Sequence, residues 1–243
     1  MARFNPSYLF FQTRNFPLLP YLIYEAKKIK KSVPKLPPQS EKVILKGEKN
    51  GILILGESTV AGVGATELKS TLVGNLHSLF KSEYTFYNFG KNGIRASEVL
   101  PEFKSDLATI QSGKEGIILY LGGNDCFNLT SPNSYHRSLQ KLIESLQSQF
   151  NPNWIFLGDI APVHLFPAFS PLMKSYLYQQ REFLRKEMKQ LAATHKKVIF
   201  QEINLDLGSE FFSADGIHPS NLGYRKIAEF TFREIKEHLE EVK

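Results

Sequence analysis

Residues 51–59 read Gly-Ile-Leu-Ile-Leu-Gly-Glu-Ser-Thr, an apolar run that gives way to a glycine, an acid and a serine. Such a run is typical of a buried strand, and the polar residues that follow it are typical of a turn. Further along the chain, similar runs alternate with segments in which apolar residues recur every three or four positions. This alternation predicts an α/β fold in which crossover helices connect the strands of a parallel sheet.

We predict five strands, which cover Gly51–Leu55, Thr85–Phe89, Gly116–Leu121, Trp154–Gly158 and Val198–Glu202. Apolar stripes at helical spacing occupy residues 72–80, 139–150 and 183–191 between these strands. A final helix is expected to begin near Ser220, whose hydroxyl can cap it. Ligands of open parallel sheets bind beyond the carboxyl ends of the strands. The residues that directly follow the strands are therefore the candidates for chemistry.

The composition limits the class of protein. The chain has 243 residues, of which 42% are hydrophobic, and this is enough to bury the core of one α/β domain. Residues 1–46 hold nine lysines and arginines but only two acids, Glu25 and Glu41, so the rest of the chain is nearly neutral. A neutral body offers no electrostatic footprint for a phosphate backbone, and we expect no nucleic-acid partner. The single cysteine, Cys126, favours a reducing compartment and a cytoplasmic location.

The basic segment at residues 1–46 has an apolar centre. Its apolar run, Phe16–Tyr24, is far shorter than the roughly 18 residues that cross a bilayer. The positive charges follow this run instead of preceding it, so we do not expect a signal peptide. Apolar residues at helical spacing, followed by lysines, predict a short amphipathic helix, and prolines after it predict an extended linker. These residues are Leu19, Leu22, Ile23, Ala26, Lys27, Lys28, Lys30, Lys31, Pro34, Pro37 and Pro38.

Two interpretations of this amphipathic helix differ in what its apolar face contacts. Such faces usually pack against their own domain, and this is the commoner outcome. In the alternative, the helix rests on an anionic membrane surface as a peripheral contact and delivers the protein to lipid. We divide the chain into residues 1–46, the basic helix and Pro-containing linker, and residues 47–243, the main domain.

Two motifs supply the residues of a nucleophilic site. Ser58 lies at the turn from the first strand into a helix, a position that exposes its hydroxyl, although a serine there is more often a helix cap. Asp215 and His218 lie three residues apart before the final helix. A carboxylate can hold an imidazole in the tautomer that accepts a serine proton. The alternative for this pair is a loop aspartate beside a surface histidine.

Two further motifs follow the second and third strands. Gly93 ends the stretch Asn88–Gly93, and Asn124 lies in the stretch Leu121–Asp125. A glycine N–H and an asparagine amide are suitable donors for the oxyanion of a tetrahedral intermediate. Ordinary turn formation is the alternative explanation, because Gly, Asn and Asp are common in loops.

In combination and in this order, Gly56-Glu57-Ser58, Gly93, Gly122–Asp125 and Asp215–His218 resemble the conserved blocks of the SGNH (GDSL) hydrolases. The resemblance implies a flavodoxin-like three-layer α/β/α fold with a five-stranded parallel sheet. It also implies that Ser58 is the nucleophile, that His218 is the base and that Asp215 completes the triad. The oxyanion hole then consists of the Ser58 and Gly93 amides and the Asn124 side chain. Glu57 departs from the family pattern, which usually has an aspartate there.

The function implied is a serine esterase that hydrolyses carboxylic esters through an acyl-enzyme at Ser58. Its substrate would be a small-molecule or lipid ester, such as an acyl ester or an acetylated carbohydrate. We expect no cofactor and no metal, because the remaining histidines are not at metal-ligand spacing. Two alternatives stay open: an acyltransferase of the same fold, and a non-catalytic module that binds a membrane or a partner. The sequence carries no indication of an oligomeric state.

One apolar loop, Val163–Phe169, follows the fourth predicted strand and contains His164. Packing into the core or as a lid is the commoner role of such a loop. The alternative is that it lines a pocket for an acyl group.

Overall fold

The computed structural model describes residues 5–240. Residues 1–4, which include Arg3 of the basic segment, and residues 241–243 lie outside the described residues. The start of the predicted segment 1–46 and the end of the predicted domain 47–243 are therefore not described. A six-stranded sheet forms the centre of the protein, in the order β1-β3-β2-β4-β5-β6. The strands are β1 (Lys42–Leu45), β2 (Lys49–Gly56), β3 (Tyr84–Gly90), β4 (Gly116–Tyr120), β5 (Trp154–Gly158) and β6 (Val198–Gln201).

The predicted fold class is confirmed, but the predicted strand number of five was wrong. Strands β2 to β6 are parallel and correspond to the five predicted strands, whereas β1 pairs with β3 in the antiparallel direction. Strand β1 lies at the edge of the sheet and alternates between exposed and half-buried residues. Its apolar run, Val43–Leu45, is only three residues long and is shorter than the runs of the central strands. Without β1, the strand order is the doubly wound, flavodoxin-like order.

Helices cover both faces of the sheet. Phe86 of β3 contacts Phe80 on one face, while Phe89, three residues further along the strand, contacts Phe103 on the other. In residues 5–240 the α-helices are α1 (Pro6–Asn15), α2 (Leu19–Ser32), α3 (Ser58–Ala61), α4 (Leu72–Leu79), α5 (Val99–Ala108), α6 (Gly123–Phe127), α7 (Pro132–Phe150), α8 (Pro171–Thr194) and α9 (Asn221–Glu240).

The helix predictions are confirmed where apolar stripes identified them. The three stripes lie in α4, α7 and α8, and the amphipathic helix of the basic segment is α2. The final helix, α9, begins after Ser220, whose hydroxyl accepts a hydrogen bond from the Gly223 amide at 3.2 Å. Ser220 is thus the N-cap, as predicted.

The basic segment packs against the body through its inner side. Phe11 of α1 lies against the rings of Tyr176 and Phe183 on α8, and Leu22 of α2 is buried. The carboxylate of Glu25 accepts hydrogen bonds from the amide and the hydroxyl of Ser170, the N-cap of α8, at 2.8 and 2.7 Å. No helix within residues 5–240 is long and apolar enough to cross a bilayer.

Strand β2 marks the point where the strand order reverses. From β2 the chain crosses to β3 on one side, and it then returns to β4 on the other side. The crossover helices therefore diverge beyond the carboxyl ends of β2 and β4, which leaves a crevice there. Ser58 follows β2 and Asn124 follows β4, so both residues lie at this crevice.

The turn after α3 is packed directly against the loop that precedes α9. A Cβ atom at Gly64 would lie 2.5 Å from the carbonyl oxygen of Pro219 and 3.1 Å from the Cβ of His218. The amide of Thr66 donates to the side chain of Asn221 at 3.0 Å, and Asn221 donates back to the Thr66 hydroxyl at 2.8 Å. These contacts join two loops that are more than 150 residues apart in the sequence.

Gly64→Ala is expected to destabilise the fold through this contact. Gly64 has φ +96°, so alanine there adds backbone strain to the clash with Pro219. Together these effects should lower the free energy of unfolding by about 2–5 kcal/mol, measured by urea unfolding. Gly113→Ala is the matched control, since Gly113 has φ +76° and nothing within 4 Å of an added Cβ. The control should lose about 1–2 kcal/mol, and equal losses for both variants would contradict the packing described.

Candidate active site

Asp215 and His218 form a hydrogen-bonded pair in the loop before α9. The Nδ1 of His218 lies 2.6 Å from Oδ2 of Asp215. The other carboxylate oxygen accepts from the hydroxyl of Ser213 and from the amides of Ile217 and His218, at 2.8 to 3.0 Å. Four donors thus hold one buried carboxylate, and its hydrogen bond at Nδ1 leaves Nε2 of His218 as the acceptor nitrogen.

The hydrogen bonds to Asp215 keep this carboxyl group ionised. Burial alone would raise its pKa, but the hydrogen bonds from His218 and from the Ile217 and His218 amides outweigh burial and lower the pKa to about 2. A charged carboxylate next to Nδ1 holds the imidazole in the tautomer and orientation in which Nε2 can accept a proton. The pair can therefore accept a proton at Nε2 and hold it close to the crevice.

Ser58 lies in the wall of the same cavity as this pair. The cavity has a volume of about 710 Å³, and Ser58, Asn124, Asp215 and His218 all line it. The structure thus brings together four of the five predicted site residues. In the described part of the chain, the side chains of Ser58 and His218 are not directly hydrogen-bonded to each other.

Ser58 is the first residue of α3, and only Glu57 separates it from the end of β2. Its carbonyl oxygen accepts from the Val63 amide at 3.1 Å and lies 3.4 Å from the hydroxyl of Tyr224 on α9. The same hydroxyl donates to the Val63 carbonyl at 2.8 Å, and Tyr224 is fully buried. The backbone of Ser58 is therefore tied to the helix that follows His218.

Gly93, the fifth predicted site residue, lies in the turn after β3. The Ile94 amide bonds to the Lys91 carbonyl at 3.3 Å, and Gly93 has φ +85°. This combination is typical of a type II turn, which requires positive φ at its third position. Asn92, the neighbour of Gly93, lines the cavity. The turn thus reaches the cavity through Asn92, whereas Gly93 itself is exposed and is not among the residues that line the cavity.

Glu57 connects the first motif to the third. Its buried carboxylate accepts from the Gly123 amide at 3.0 Å, from the Asn124 amide at 2.9 Å and from Nδ2 of Asn124 at 2.8 Å. The sequence motifs identified Glu57 only as a departure from the family pattern. In the structure the Glu57 carboxylate orients the side chain of Asn124, because it accepts a hydrogen bond from Nδ2. This contact determines which way the side-chain amide of Asn124 is turned.

The environment of Glu57 shifts its titration strongly. Burial raises its pKa, and the nearby carboxylate of Asp125 adds to this effect. The three hydrogen bonds from Gly123 and Asn124 favour the ionised form and offset part of the increase. The resulting pKa is about 7, so the charge of this buried group changes in the neutral pH range.

The rest of the cavity wall is mostly apolar. It comes from three parts of the chain: helix α2, the loop after β5 and the first turns of α8. These residues are Leu19, Leu22, Ile23, Ala26, Ile29, Val163, Phe166, Phe169, Met173, Tyr176 and Leu177, with Phe127 of α6 beside them. The loop 163–169 therefore lines the cavity as well as packing into the core. Its His164 points elsewhere and packs against the ring of Tyr178, 4.9 Å away.

No group of three or more His, Cys, Asp and Glu side chains within residues 5–240 is arranged to hold a metal ion. Cys126 is buried and not in a disulfide, and burial raises the pKa of its thiol well above the usual value.

The sheet order and the polar residues after its strands define a three-layer α/β/α protein of the flavodoxin-like class. Residues 54–226 match the GDSL-like Lipase/Acylhydrolase family, and this match covers more than half of the chain. The chain belongs to this family. This membership supports the conclusion that the protein is an ester hydrolase. The match begins after α1, α2 and β1, so these elements lie outside the matched region. No protein of curated function matches the chain.

Solved structures with the same fold include several esterases. A member of the lipolytic protein G-D-S-L family from Veillonella parvula DSM 2008 is 20% identical, with a TM-score of 0.63 over 76% of this chain and 98% of that chain. A family 3 carbohydrate esterase from Clostridium thermocellum is 22% identical, with a TM-score of 0.61 over 79% and 98%. Axe2, an acetylxylan esterase from Geobacillus stearothermophilus, is 15% identical, with a TM-score of 0.53 over 79% and 96%. At these identities the likeness establishes the fold.

The raised pKa of Glu57 predicts a specific pH dependence of stability. Below its usual pKa of 4.5 the carboxyl is protonated in both the folded and the unfolded chain, whereas between about 4.5 and 7 only the folded chain keeps the proton. The contribution of this group to stability should therefore fall as pH rises through that window. Between pH 5 and pH 8, wild type should lose about 3 kcal/mol relative to Glu57→Gln, measured by urea unfolding.

Glu48→Gln is the control for this experiment, because Glu48 is exposed. It should follow the wild-type pH curve. If the free energies of unfolding of wild type and Glu57→Gln instead changed in parallel from pH 5 to pH 8, this result would contradict the raised pKa of Glu57.

Proposed function

We propose that this protein is a serine esterase that hydrolyses carboxylic esters with an apolar acyl group through an acyl-enzyme at Ser58. The observation that carries the proposal is the placement of Ser58 and the Asp215–His218 pair in the wall of one cavity. A nucleophile, a base and a carboxylate that orients the base are the parts that acyl transfer by serine requires.

In the first step, the hydroxyl oxygen of Ser58 attacks the ester carbonyl, and its proton passes to Nε2 of His218. The new bond joins Oγ of Ser58 to the carbonyl carbon, and the electron pair of the C=O double bond moves to the oxygen. A small rotation of the Ser58 or His218 side chain makes the hydrogen bond for this transfer, since catalytic hydrogen bonds are often long before substrate binds. Asp215 stabilises the imidazolium that results.

The negative oxygen of the tetrahedral intermediate needs donors that are already in place. The amides of Ser58 and Gly93 and the side chain of Asn124 supply them in this proposal. One hydrogen of the Asn124 amide is held by Glu57, which leaves the second hydrogen for the oxyanion. The side chain of Glu57 is longer than that of the aspartate usual in the family, and its carboxylate still reaches the Asn124 side chain.

In the second half of the reaction, the intermediate collapses and the alcohol leaves with the proton from His218. A water molecule then attacks the acyl carbon while His218 accepts one of its protons, and the bond to Ser58 breaks as this proton returns to Oγ. The products are a carboxylic acid and an alcohol. Ser58 and His218 end in their starting protonation states.

The apolar wall supports an acyl group of some length. A cavity of about 710 Å³ is within the usual range of ligand sites, and the aromatic side chains Phe127, Phe166 and Phe169 line it beside Ser58. An acetyl group would leave most of this apolar surface in contact with water, whereas a longer chain would cover it. The cavity thus favours an aliphatic or aromatic acyl ester over an acetylated sugar.

Asp215→Asn should lower kcat/KM for ester hydrolysis by about 10³–10⁴-fold. The side-chain oxygen of asparagine can accept from the backbone amides, so its NH₂ group would face Nδ1 of His218. This contact would place the imidazole proton on Nε2, where it blocks proton transfer from Ser58. The variant removes charge but keeps size, so folding should be retained, and circular dichroism checks this.

Ser213→Ala is the matched control for Asp215→Asn. It removes one hydrogen bond to the same carboxylate but leaves the contact with His218 in place. A loss of about tenfold or less is expected from this variant. Comparable losses in the two variants would show that the carboxylate acts only on the loop structure.

The proposed function is tested most simply with chromogenic esters of increasing acyl length, on wild type and Ser58→Ala side by side. Wild type should hydrolyse medium and long acyl esters faster than the acetyl ester, and Ser58→Ala should lose at least 10³-fold of kcat/KM. Equal turnover by both proteins would remove Ser58 from the mechanism. Added glycerol separates hydrolysis from acyl transfer, because a hydrolase should release mainly the free acid at dilute acceptor.

A further inference from the structure

The outer side of the N-terminal helices exposes an unusual amount of apolar surface. Of the eleven large apolar side chains that are exposed in the described residues, six lie between positions 9 and 24. They are Leu9, Phe10, Phe16, Tyr21, Ile23 and Tyr24, and we call them the N-terminal patch. Phe16 is 70% exposed and Phe10 is 67% exposed. A concentration of such side chains on one short segment marks an interaction surface, whereas single exposed apolar residues do not.

The charged residues of the segment that carries the N-terminal patch are almost all positive. Residues 5–36 contain six basic side chains, which are Arg14, Lys27, Lys28, Lys30, Lys31 and Lys35. The one acid of this stretch, Glu25, is buried against Ser170 on the inner side of α2. A partner of this surface therefore meets apolar and cationic groups together, and it must supply apolar and anionic groups in return.

The patch is continuous with the wall of the catalytic cavity. Ile23 belongs to the patch and also lines the cavity. Ala26, one helical turn further along α2, is exposed and lines the cavity as well. Lys30, at the end of this row, is exposed and lines the cavity as well. Phe127 of α6 also lines the cavity and is exposed in part. The exposed residues that line the cavity thus include apolar side chains from α2 and α6 and a lysine from α2.

The fixed position of α2 makes the patch a permanent feature of the surface. Leu22 and Glu25 hold the inner side of the helix to the body, while Tyr21, Tyr24 and Lys28 face outward. The inner side of α2 packs against the body, as the first interpretation of the amphipathic helix expected. Its outer side is exposed, as the second interpretation requires.

We propose that the N-terminal patch and its lysines dock on the surface of an anionic lipid bilayer, with the rim of the catalytic cavity against the membrane. A helix that carries aromatic residues and lysines in this arrangement binds at the level of the lipid headgroups, where the rings reach the acyl boundary and the ammonium groups meet lipid phosphates. A lipid leaving the bilayer would then enter the cavity beside Ile23 without crossing water. Docking does not require Ser58, so a failure of docking and a failure of the proposed chemistry are distinguishable.

Vesicle co-sedimentation with the full chain tests this docking. Wild type should bind vesicles of phosphatidylcholine and phosphatidylglycerol at least tenfold more tightly than vesicles of phosphatidylcholine alone. Roughly 0.5 M NaCl should reverse most of this preference, because salt screens the contact between lysines and lipid phosphates.

Two variants separate the apolar and the cationic parts of the surface. Phe10→Ser/Phe16→Ser and Lys27→Gln/Lys28→Gln/Lys31→Gln should each weaken binding to the anionic vesicles at least tenfold. All of these side chains are exposed and lie outside the cavity wall, so turnover of a soluble short-chain ester and the melting temperature should not change.

Matched controls carry the same changes elsewhere on the surface. Ile44→Ser/Tyr178→Ser removes exposed apolar side chains outside the patch, and Lys104→Gln/Lys141→Gln/Lys236→Gln removes three exposed lysines from α5, α7 and α9. Both controls should bind vesicles like wild type. Equal losses in controls and patch variants would overturn the proposal, since general charge and hydrophobicity would then explain binding.

Two further results would also overturn the docking proposal. One is wild type that stays in the supernatant with anionic vesicles at low salt. The other is a dimer, seen by analytical ultracentrifugation without vesicles, that Phe10→Ser/Phe16→Ser abolishes while vesicles fail to bind. That result would assign the N-terminal patch to a second copy of this chain.

Discussion

The contact between the turn after α3 and the loop before α9 is the constraint on which the site depends. Gly64 lies so close to Pro219 and His218 that no side chain fits between them, and the Thr66–Asn221 hydrogen bonds and the Tyr224 hydroxyl hold the same two segments together. Ser58 and His218 are 160 positions apart in the sequence, yet they line one cavity because these segments are joined. Contacts between these two segments, rather than a hydrogen bond between the two functional side chains, thus determine their placement. The site is preorganised by packing.

Much of the fold could be predicted from local patterns. The central strands are buried on both faces, so Ile52–Leu55 and Trp154–Gly158 appear in the sequence as unbroken apolar runs. Edge strand β1 has a run of only three apolar residues, Val43–Leu45, and two of its four residues are exposed. Helix α1 also gives little periodic signal, since residues 8–11 are apolar in succession and not at helical spacing. For β1 and α1, stabilising contacts come from β3 and α8 respectively, which no local pattern contains.

The motifs identified residues of the site, but they did not describe how those residues are held. Asp215 and His218 lie three apart in one loop, so their contact follows from local geometry and could be predicted. The hydrogen bonds from Gly123 and Asn124 to Glu57 join residues 66 and 67 positions apart, and nothing near Glu57 in the sequence indicates them. The apolar wall had one sequence signal, the loop 163–169, whereas the contribution of α2 depends on where that helix docks. Residues outside the matched family region thus form part of the cavity, and they connect it to the exposed N-terminal patch.

In the proposed mechanism, His218 activates Ser58 at one rim of the sheet. Covalent labelling with a fluorophosphonate, a reagent that phosphonylates an activated serine hydroxyl, followed by mass spectrometry of the peptides, tests this activation. We expect a single adduct on Ser58 in wild type and labelling at least 10²-fold slower in His218→Ala. An adduct on a different residue, or labelling of Ser58 at the same rate without His218, would contradict it.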